Sequence, residues 1–467
     1  MHKINNKAYL QFLGAASTTT GSKYLLEYQG EQCLLECGLF QGLKELRSRN
    51  WQPPTFDLKN IRSVVLSHAH IDHSGYLPRL VRLGWSGPIY CTEATAELLS
   101  ELLPDAAYLQ EEEAEYANFS GYSKHRPALP LYTQDDATKV LKMLLPVPFK
   151  KVFSPITNLE VIYHFAGHIL GAAMVECSFT ASKKKMLFTG DLGRNNRPLL
   201  PDPEIIEQTD TLILESTYGD RVHPNSVKSE LIRIINQAHK RSGALIVPAF
   251  AVGRTQELIW HLRQLTQEGL IPKMPIYIDS PMATQVTRIY ARHPEAYEMT
   301  QSETELASNR AFIKTQVEFV GNRDQSIALN KKSGPFIIIS ASGMAAGGRV
   351  LHHLAQRLGD ARTTVLLTGF QAEGTRGRLL QEGKKMIRIH GQEIKVNAQI
   401  ASLDGLSAHA GQDEILAWLG HFRKKPSHIY LVHGEVKASN ALAEAIKNKF
   451  RWSAHIAQLG ERILLFR

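Results

Sequence analysis

The stretch VVLSHAHIDHSGYLPRL (Val64–Leu80) sets three histidines and an aspartate within six positions, directly after a β-branched and aliphatic run. In an extended segment residues two apart share a side, so His68, His70 and Asp72 can converge. His73, just past the bend, reaches in from another direction. Imidazole and carboxylate suit zinc or a similar divalent ion, and this geometry fits two neighbouring ions better than one. At this chain's own residue frequencies an HxHxDH match by chance is on the order of one in a thousand, so the signal is strong. In the following GYLPRLVRLG, Leu77, Leu80, Val81 and Leu83 fall at helical spacing, with Gly84 as a stop.

Before this block, YLQFLGAAS, KYLLEYQG and QCLLECG read as short strands joined by tight turns, and IRSVVLSH leads a fourth strand into the histidines. A second helical region spans Glu93 to Ala117, and its acidic run QEEEAEY reads as a solvated face. From about Thr211 the texture becomes apolar strand, glycine-containing turn, helix: ALIVPAFAVGRTQELIWHL, IYIDSPMATQVTRIY, FIIISASGMAAGGRVLHHL and TVLLTGFQAEGTRGRLL. Successive units of that kind predict a parallel sheet flanked by helices. After about Lys385 the alternation in IRIHGQEIKVNAQIASL suggests half-buried strands, and the chain closes with HIYLVHGE and a terminal strand pair. No solenoid repeat is visible.

A chain of 467 residues exceeds what one core usually organises, so two domains, or one with a large insertion, are expected. Hydrophobic residues at 43% and charged residues at 21% are those of an ordinary soluble protein, which excludes disordered and membrane classes. Lys plus Arg exceed Asp plus Glu by 54 to 45, a balance that suits a polyanionic partner without identifying it. No segment has the length and apolarity of a signal peptide or a membrane span, so a cytoplasmic protein is expected. Cys33, Cys37, Cys91 and Cys177 form no CxxC pair and read as reduced, packed residues.

Four ligands do not complete a two-metal site. Further candidates lie at strand ends and turns: His168 in FAGHILGAA, Asp191 in FTGDLGR, Glu215 in LILESTYGDR, His409 in GLSAHAGQ and His433 in YLVHGE. Taken singly, each also reads as a hydrogen-bonded loop residue. Together, and in this order, the motifs resemble the metallo-β-lactamase superfamily and, within it, the β-CASP nucleases. HxHxDH, His168 and Asp191 match the metal motifs of the superfamily. Glu215, His409 and His433 match three motifs of the β-CASP branch, and ALPLYTQDDA and SPMA are similar to stretches in bacterial and archaeal members.

The resemblance covers essentially the whole chain and implies an α/β protein: an αββα metallo-β-lactamase sandwich from residues 1–219 and 391–467, with a parallel-sheet β-CASP domain inserted at 220–390. By similarity, His68, His70 and His168 would hold one zinc ion, and Asp72, His73 and His433 a second, with Asp191 bridging. Two such ions lower the pKa of a shared water to about 7 and draw charge from a phosphoryl oxygen, which is phosphodiester hydrolysis. Asp72 and Asp191 thereby take catalytic roles as well. The acid for the leaving 3′-oxygen would be His409, kept protonated by Glu215. One position departs from the family: Glu36 in LLECGLFQG stands where an aspartate that orients a ligand histidine is usual, and tuning of the centre rather than its loss is expected.

Arg349, Arg376 and Arg378 near glycine turns, helix N-termini, and Ser407 are candidate phosphate contacts in a groove between the domains. The same glycines also serve simply as tight β-to-α connections. The GxxxxGK[ST] spacing is absent, so no nucleotide triphosphate is expected. Histidine at the last motif, His433, is typical of RNA-processing rather than DNA-processing members of the branch. Single-stranded RNA is therefore the expected partner, with no membrane contact, and a homodimer is left open. The chain resembles the compact bacterial form of the group, similar to the nuclease subunit of the pre-mRNA 3′-end cleavage factor. Competing readings are a hydrolase of small esters on the same fold, a β-CASP DNA nuclease, and a non-catalytic scaffold. Full occupancy of the ligand positions speaks against the scaffold, and the insertion against the esterase. The remaining histidines, among them His352 and His353, lack motif support and read as ordinary residues.

Overall fold

Alternation such as Ala8, Leu10 and Phe12 buried with Tyr9 and Gln11 less so is what a strand with one face on a core requires. A computed structural model describes residues 7–121, 123, 125–224, 227–293, 317–369, 371 and 373–466. Its chain divides into two compact units, Met1–Val222 with His409–Arg467, and His223–Ala408.

The first unit carries β1 (Ala8–Phe12), β2 (Tyr24–Tyr28), β3 (Glu31–Leu35), β4 (Ile61–Val65), β5 (Ile89–Cys91) and β6 (Leu144–Pro146), then β7 (Phe153–Ile156), β8 (Leu159–Phe165), β9 (Ala173–Phe179), β10 (Lys184–Phe188) and β11 (Thr211–Glu215). The second carries β12 (Ala244–Pro248), β13 (Ile276–Ile278), β14 (Val317–Phe319), β15 (Phe336–Ser340), β16 (Thr364–Leu367), β17 (Met386–Ile389), β18 (Gln392–Lys395) and β19 (Gln399–Ser402). The chain returns to the first through β20 (His428–Val432), β21 (His455–Ile456) and β22 (Arg462–Phe466).

Among the described residues the first unit forms two seven-stranded sheets, ordered β22-β1-β2-β3-β4-β5-β6 and β21-β20-β11-β10-β9-β8-β7. Each is antiparallel in one half and parallel in the other. Their inner faces share one core, in which Tyr24 meets Phe188 edge-on at 5.1 Å, Tyr28 meets Phe179 at 5.0 Å and Phe12 meets Tyr430 at 5.8 Å between ring centroids. The helix Glu93–Ser120 packs on β6, and Val436–Phe450 on β20 and β21. The histidine block is followed by the helix Leu77–Arg82, ended at Gly84 with φ 96°.

The last two strands do not pair with each other as their sequence suggests. β21 lies beside β20, whereas β22 lies antiparallel to β1 in the other sheet. An isolated two-stranded ribbon is marginal in water; separated, each strand covers a sheet edge, and β22 adds Ile463 and Leu465 to the shared core.

Among the described residues of the second unit six parallel strands run in the order β14-β13-β15-β12-β16-β19. Leu245 and Val247 of β12 face one apolar cluster, while Ile246 faces another that includes Val350, Leu354 and Ile387. Burial on both faces explains the near-continuous apolar runs in these strands. Within the described residues no helix is long and apolar enough to cross a membrane.

Phe188 is buried against Tyr24 in the sandwich core, three positions before Asp191. Phe188→Ala is expected to destabilise the protein by about 3–5 kcal/mol, measured from the denaturant midpoint.

Candidate metal centre

β10, β11 and β20 are adjacent and parallel, so their C-terminal ends share one edge of their sheet. That edge presents Asp191 just past β10, Glu215 as the last residue of β11 and His433 immediately after β20. β4 of the facing sheet ends at Val65, three residues before His68, and His168 sits in the turn between β8 and β9. Donors far apart in sequence thus meet because open strand ends of both sheets lie at one rim.

His68, His70, His168 and Asp191 form one cluster of converging donor atoms, and Asp72, His73 and His433 another. In the first, His70 Nδ1 is 3.1 Å from His68 Nε2 and 3.2 Å from His168 Nε2, and Asp191 Oδ2 is 3.4 Å from each Nε2. In the second, His73 Nε2 is 3.0 Å from His433 Nε2, which lies 3.5 Å from Asp72 Oδ2. Asp191 Oδ1 lies 3.2 Å from His73 Nε2 and 3.4 Å from His433 Nδ1. One carboxylate therefore faces both groups, one oxygen to each. Ligands about 2.0–2.2 Å from a tetrahedral ion stand roughly 3.3–3.6 Å apart, and the donors here, 3.0–3.5 Å apart, are close to that spacing.

The donors carry the charges a divalent cation needs. Burial, with the neighbouring His73 charge, pushes His68 down to about 3, and burial pushes His70 down to about 4. Burial and the His409 charge hold His168 well below its ordinary range. Burial works against ionised Asp72 and Asp191, yet the surrounding imidazoles hold both below the usual carboxylate range. His73 is the exception: burial opposes its charge, but Asp191 and Glu36 outweigh it and raise its imidazole well above normal. Asp191 Oδ1 is buried and makes no well-aligned hydrogen bond, with the imidazoles of His73 and His433 3.2 and 3.4 Å away, a cost that a cation among them would relieve. The residues fit a metal pair.

Glu36 supports this arrangement from behind. Its Oε1 accepts from the Ser67 N–H at 2.5 Å, and its Oε2 lies 2.5 Å from His73 Nδ1 and accepts from Ser67 Oγ at 3.1 Å. Ser67 Oγ is also 2.9 Å from His68 Nδ1, and Thr217 Oγ1 is 3.1 Å from His433 Nδ1. With Nδ1 of His68, His73 and His433 occupied, their Nε2 atoms are left for coordination, whereas His70 presents its Nδ1 to the first cluster. Ser67 and Thr217 escape sequence reading, because a hydroxyl beside a ligand carries no pattern; their only signal is adjacency to His68 and Glu215.

Beside the clusters, Glu215 is fully buried, accepting from Leu192 N–H at 2.8 Å and Thr217 N–H at 3.1 Å, and its Oε1 is 3.0 Å from His409 Nδ1. His409 is 19% exposed, with Nε2 3.9 Å from Asp191 Oδ2. Burial opposes its charge, but Glu215 and Asp191 outweigh that and raise its imidazole to about 9.

The expected phosphate contacts belong to the second unit. Ser407 is buried. Arg349 donates to Asp279 Oδ1 at 2.8 Å, Arg376 to the carbonyls of Arg388 at 2.9 Å and Ala346 at 3.1 Å, and Arg378 to Glu382 at 2.7 Å. The glycine turns that single them out say nothing of these partners.

Residues 21–236 match the family described as Metallo-beta-lactamase superfamily, 255–380 the Beta-Casp domain, and 393–457 the Zn-dependent metallo-hydrolase RNA specificity domain. The chain is 34% identical over 452 residues to Ribonuclease TTHA0252 of Thermus thermophilus, covering 96% of this chain and 98% of that protein. It is 28% identical over 460 residues to Transcription termination factor FttA of Methanocaldococcus jannaschii, covering 96% of this chain and 70% of that one. A solved protein of unknown function from Enterococcus faecalis V583 matches with a TM-score of 0.54 at 14% identity, over 98% of this chain and 100% of that one, a likeness of fold alone.

Glu36 has φ 64°, a left-handed conformation that Asp adopts more readily than Glu. In this backbone its carboxylate spans Ser67 and His73, a reach that the loss of one methylene shortens. Glu36→Asp is therefore expected to weaken retention of a bound divalent ion about tenfold, read by competition with a chelator. A severalfold gain would show that backbone relief outweighs reach.

Proposed function

The chain belongs to the β-CASP RNA nucleases of the metallo-β-lactamase superfamily, and from this we propose that it is a zinc-dependent ribonuclease that hydrolyses phosphodiester bonds of single-stranded RNA. The observation that carries the reading is the pair of donor clusters divided by the two oxygens of Asp191. His68, His70, His168 and Asp191 would hold one zinc ion, and Asp72, His73, His433 and Asp191 the other. When bound, the two ions supply a water acidified to near neutral pH and withdraw charge from a phosphoryl oxygen.

The protein's own groups do the rest. Glu36, Ser67 and Thr217 fix the imidazole rings so that their Nε2 atoms converge. Glu215, locked by two backbone N–H groups, orients His409 through Nδ1 and favours its charged form. His409 then carries a proton on Nε2 at neutral pH and gives it to the leaving 3′-oxygen. Its partial exposure lets that nitrogen meet substrate. The likeness to a ribonuclease along nearly its whole length, the histidine at position 433 and the net charge of +9 support RNA as the polyanion.

The test is cleavage of a 5′-labelled unstructured RNA and its DNA counterpart by zinc-loaded protein. RNA is expected to be cut, and Asp191→Ala to lose both cleavage and most bound zinc. Cutting of DNA alone would move the assignment to a DNA nuclease, and cutting of neither would favour the small-ester hydrolase or the scaffold. His409→Ala is expected to lower turnover about 10²–10⁴-fold while zinc stays near two per chain. Loss of zinc in that variant would instead make His409 a ligand.

A further inference from the structure

The loop from Gly14 to Ser22 (GAASTTTGS) is stapled at both ends to ligands of the second donor cluster. Ala15 O accepts from the backbone N–H of His433 at 2.7 Å, and the Ser22 N–H donates to Asp72 O at 2.8 Å. The Ala15 N–H closes the base onto Thr20 O at 3.2 Å. A Cβ on Gly14 would stand 1.8 Å from Gly21 O, so the two arms touch, and Ala15, Ser17 and Gly21 take φ of 46°, 59° and 77°. The tip, residues 16–19, is too short to carry its side chains more than about 7 Å from that base.

At this tip Ser17, Thr18 and Thr19 are half-buried, and none has a hydrogen-bond partner among the described residues. Thr20, by contrast, is engaged, its Oγ1 accepting from the Gln41 N–H at 3.2 Å. Three consecutive residues with hydroxyls unpaired among the described residues thus sit on a loop whose two ends are bonded to the backbone of Asp72 and His433. Asp72 is itself 21% exposed, so solvent and substrate can reach this cluster. The loop holds no lysine or arginine between its staples. A phosphate would call for cationic partners. A neutral group that both donates and accepts suits hydroxyls better, and the 2′-hydroxyl of ribose is that group on RNA.

We propose that Ser17, Thr18 and Thr19 form a ribose reader whose hydroxyls bond the 2′-hydroxyl of a nucleotide flanking the scissile phosphate. This rests on the ribonuclease reading and makes the loop a determinant of RNA over DNA. A hydrogen bond of this kind changes an equilibrium up to about tenfold.

The experiment compares an all-ribose oligonucleotide with versions carrying a single 2′-deoxy substitution on either side of the cut. Wild type is expected to lose about tenfold in kcat/KM at one of these positions. The double variant Thr18→Val, Thr19→Val should lose a similar factor on the all-ribose strand and nothing further on the deoxy strand. Thr18→Ser with Thr19→Ser, which restores the hydroxyls, should discriminate as wild type does. Zinc content near that of wild type in both variants shows an intact centre. Wild-type discrimination retained by the valine variant, or wild type indifferent to either deoxy position, overturns the ribose reader alone. No RNA cleavage by zinc-loaded wild type removes the ribonuclease reading and the ribose reader with it.

Discussion

A buried carboxylate must be compensated, and in the first unit the Asp191 side chain is compensated from two directions at once. His68 and His168 face Oδ2, and His73 faces Oδ1, with His433 beyond. Everything around it serves that placement. Parallel pairing of β10 with β11, and of β11 with β20, sets Asp191, Glu215 and His433 on one rim. The aromatic core under that rim, Tyr24 against Phe188, fixes the distance to the sheet that carries the histidine block. Shifting either sheet would separate imidazoles now about 3 Å apart across the gap.

Much of this was legible in the residues, for reasons that differ from site to site. The block His68 to His73 announces itself because four donors in six positions have few other uses. His168, Asp191, Glu215, His409 and His433 are single residues in loops and at strand ends, and only their ordered set, through a family resemblance, makes them candidates for the site. The alternating units after Thr211 show as a parallel sheet because double-sided burial leaves continuous apolar runs. Ser67, Thr217 and Ala15 stay invisible, since a hydroxyl or carbonyl that supports a ligand has no periodicity. The closing strands read as a pair because sequence shows that a segment is extended and not which edge it will join.

The second unit shows the same limit in another form. Asp279 is fully buried and accepts from Ser326 at 2.5 Å and Arg349 at 2.8 Å, with His353 Nε2 at 2.7 Å. Burial alone would drive its carboxyl up, but these partners hold it below its usual range. An ionised group in the core persists only with such company. Arg349 looks in sequence like a phosphate contact beside a glycine turn, and His353 like a residue without a task. Their structural role is set by an aspartate seventy positions earlier in the case of Arg349.

The path of the chain through its two units also orders events in time. β1 lies against β22, and β11 against β20, so the first unit lacks an edge and an inner strand until residues beyond 408 have been made. A nascent chain that has reached Asp191 already holds His68, His70, Asp72, His73 and His168, but neither His409 nor His433. The second donor cluster is therefore incomplete throughout synthesis of the second unit, and so is the Glu215–His409 pair. On the ribosome, surrounded by RNA, the polypeptide gathers all of these side chains only after residue 433 has been made.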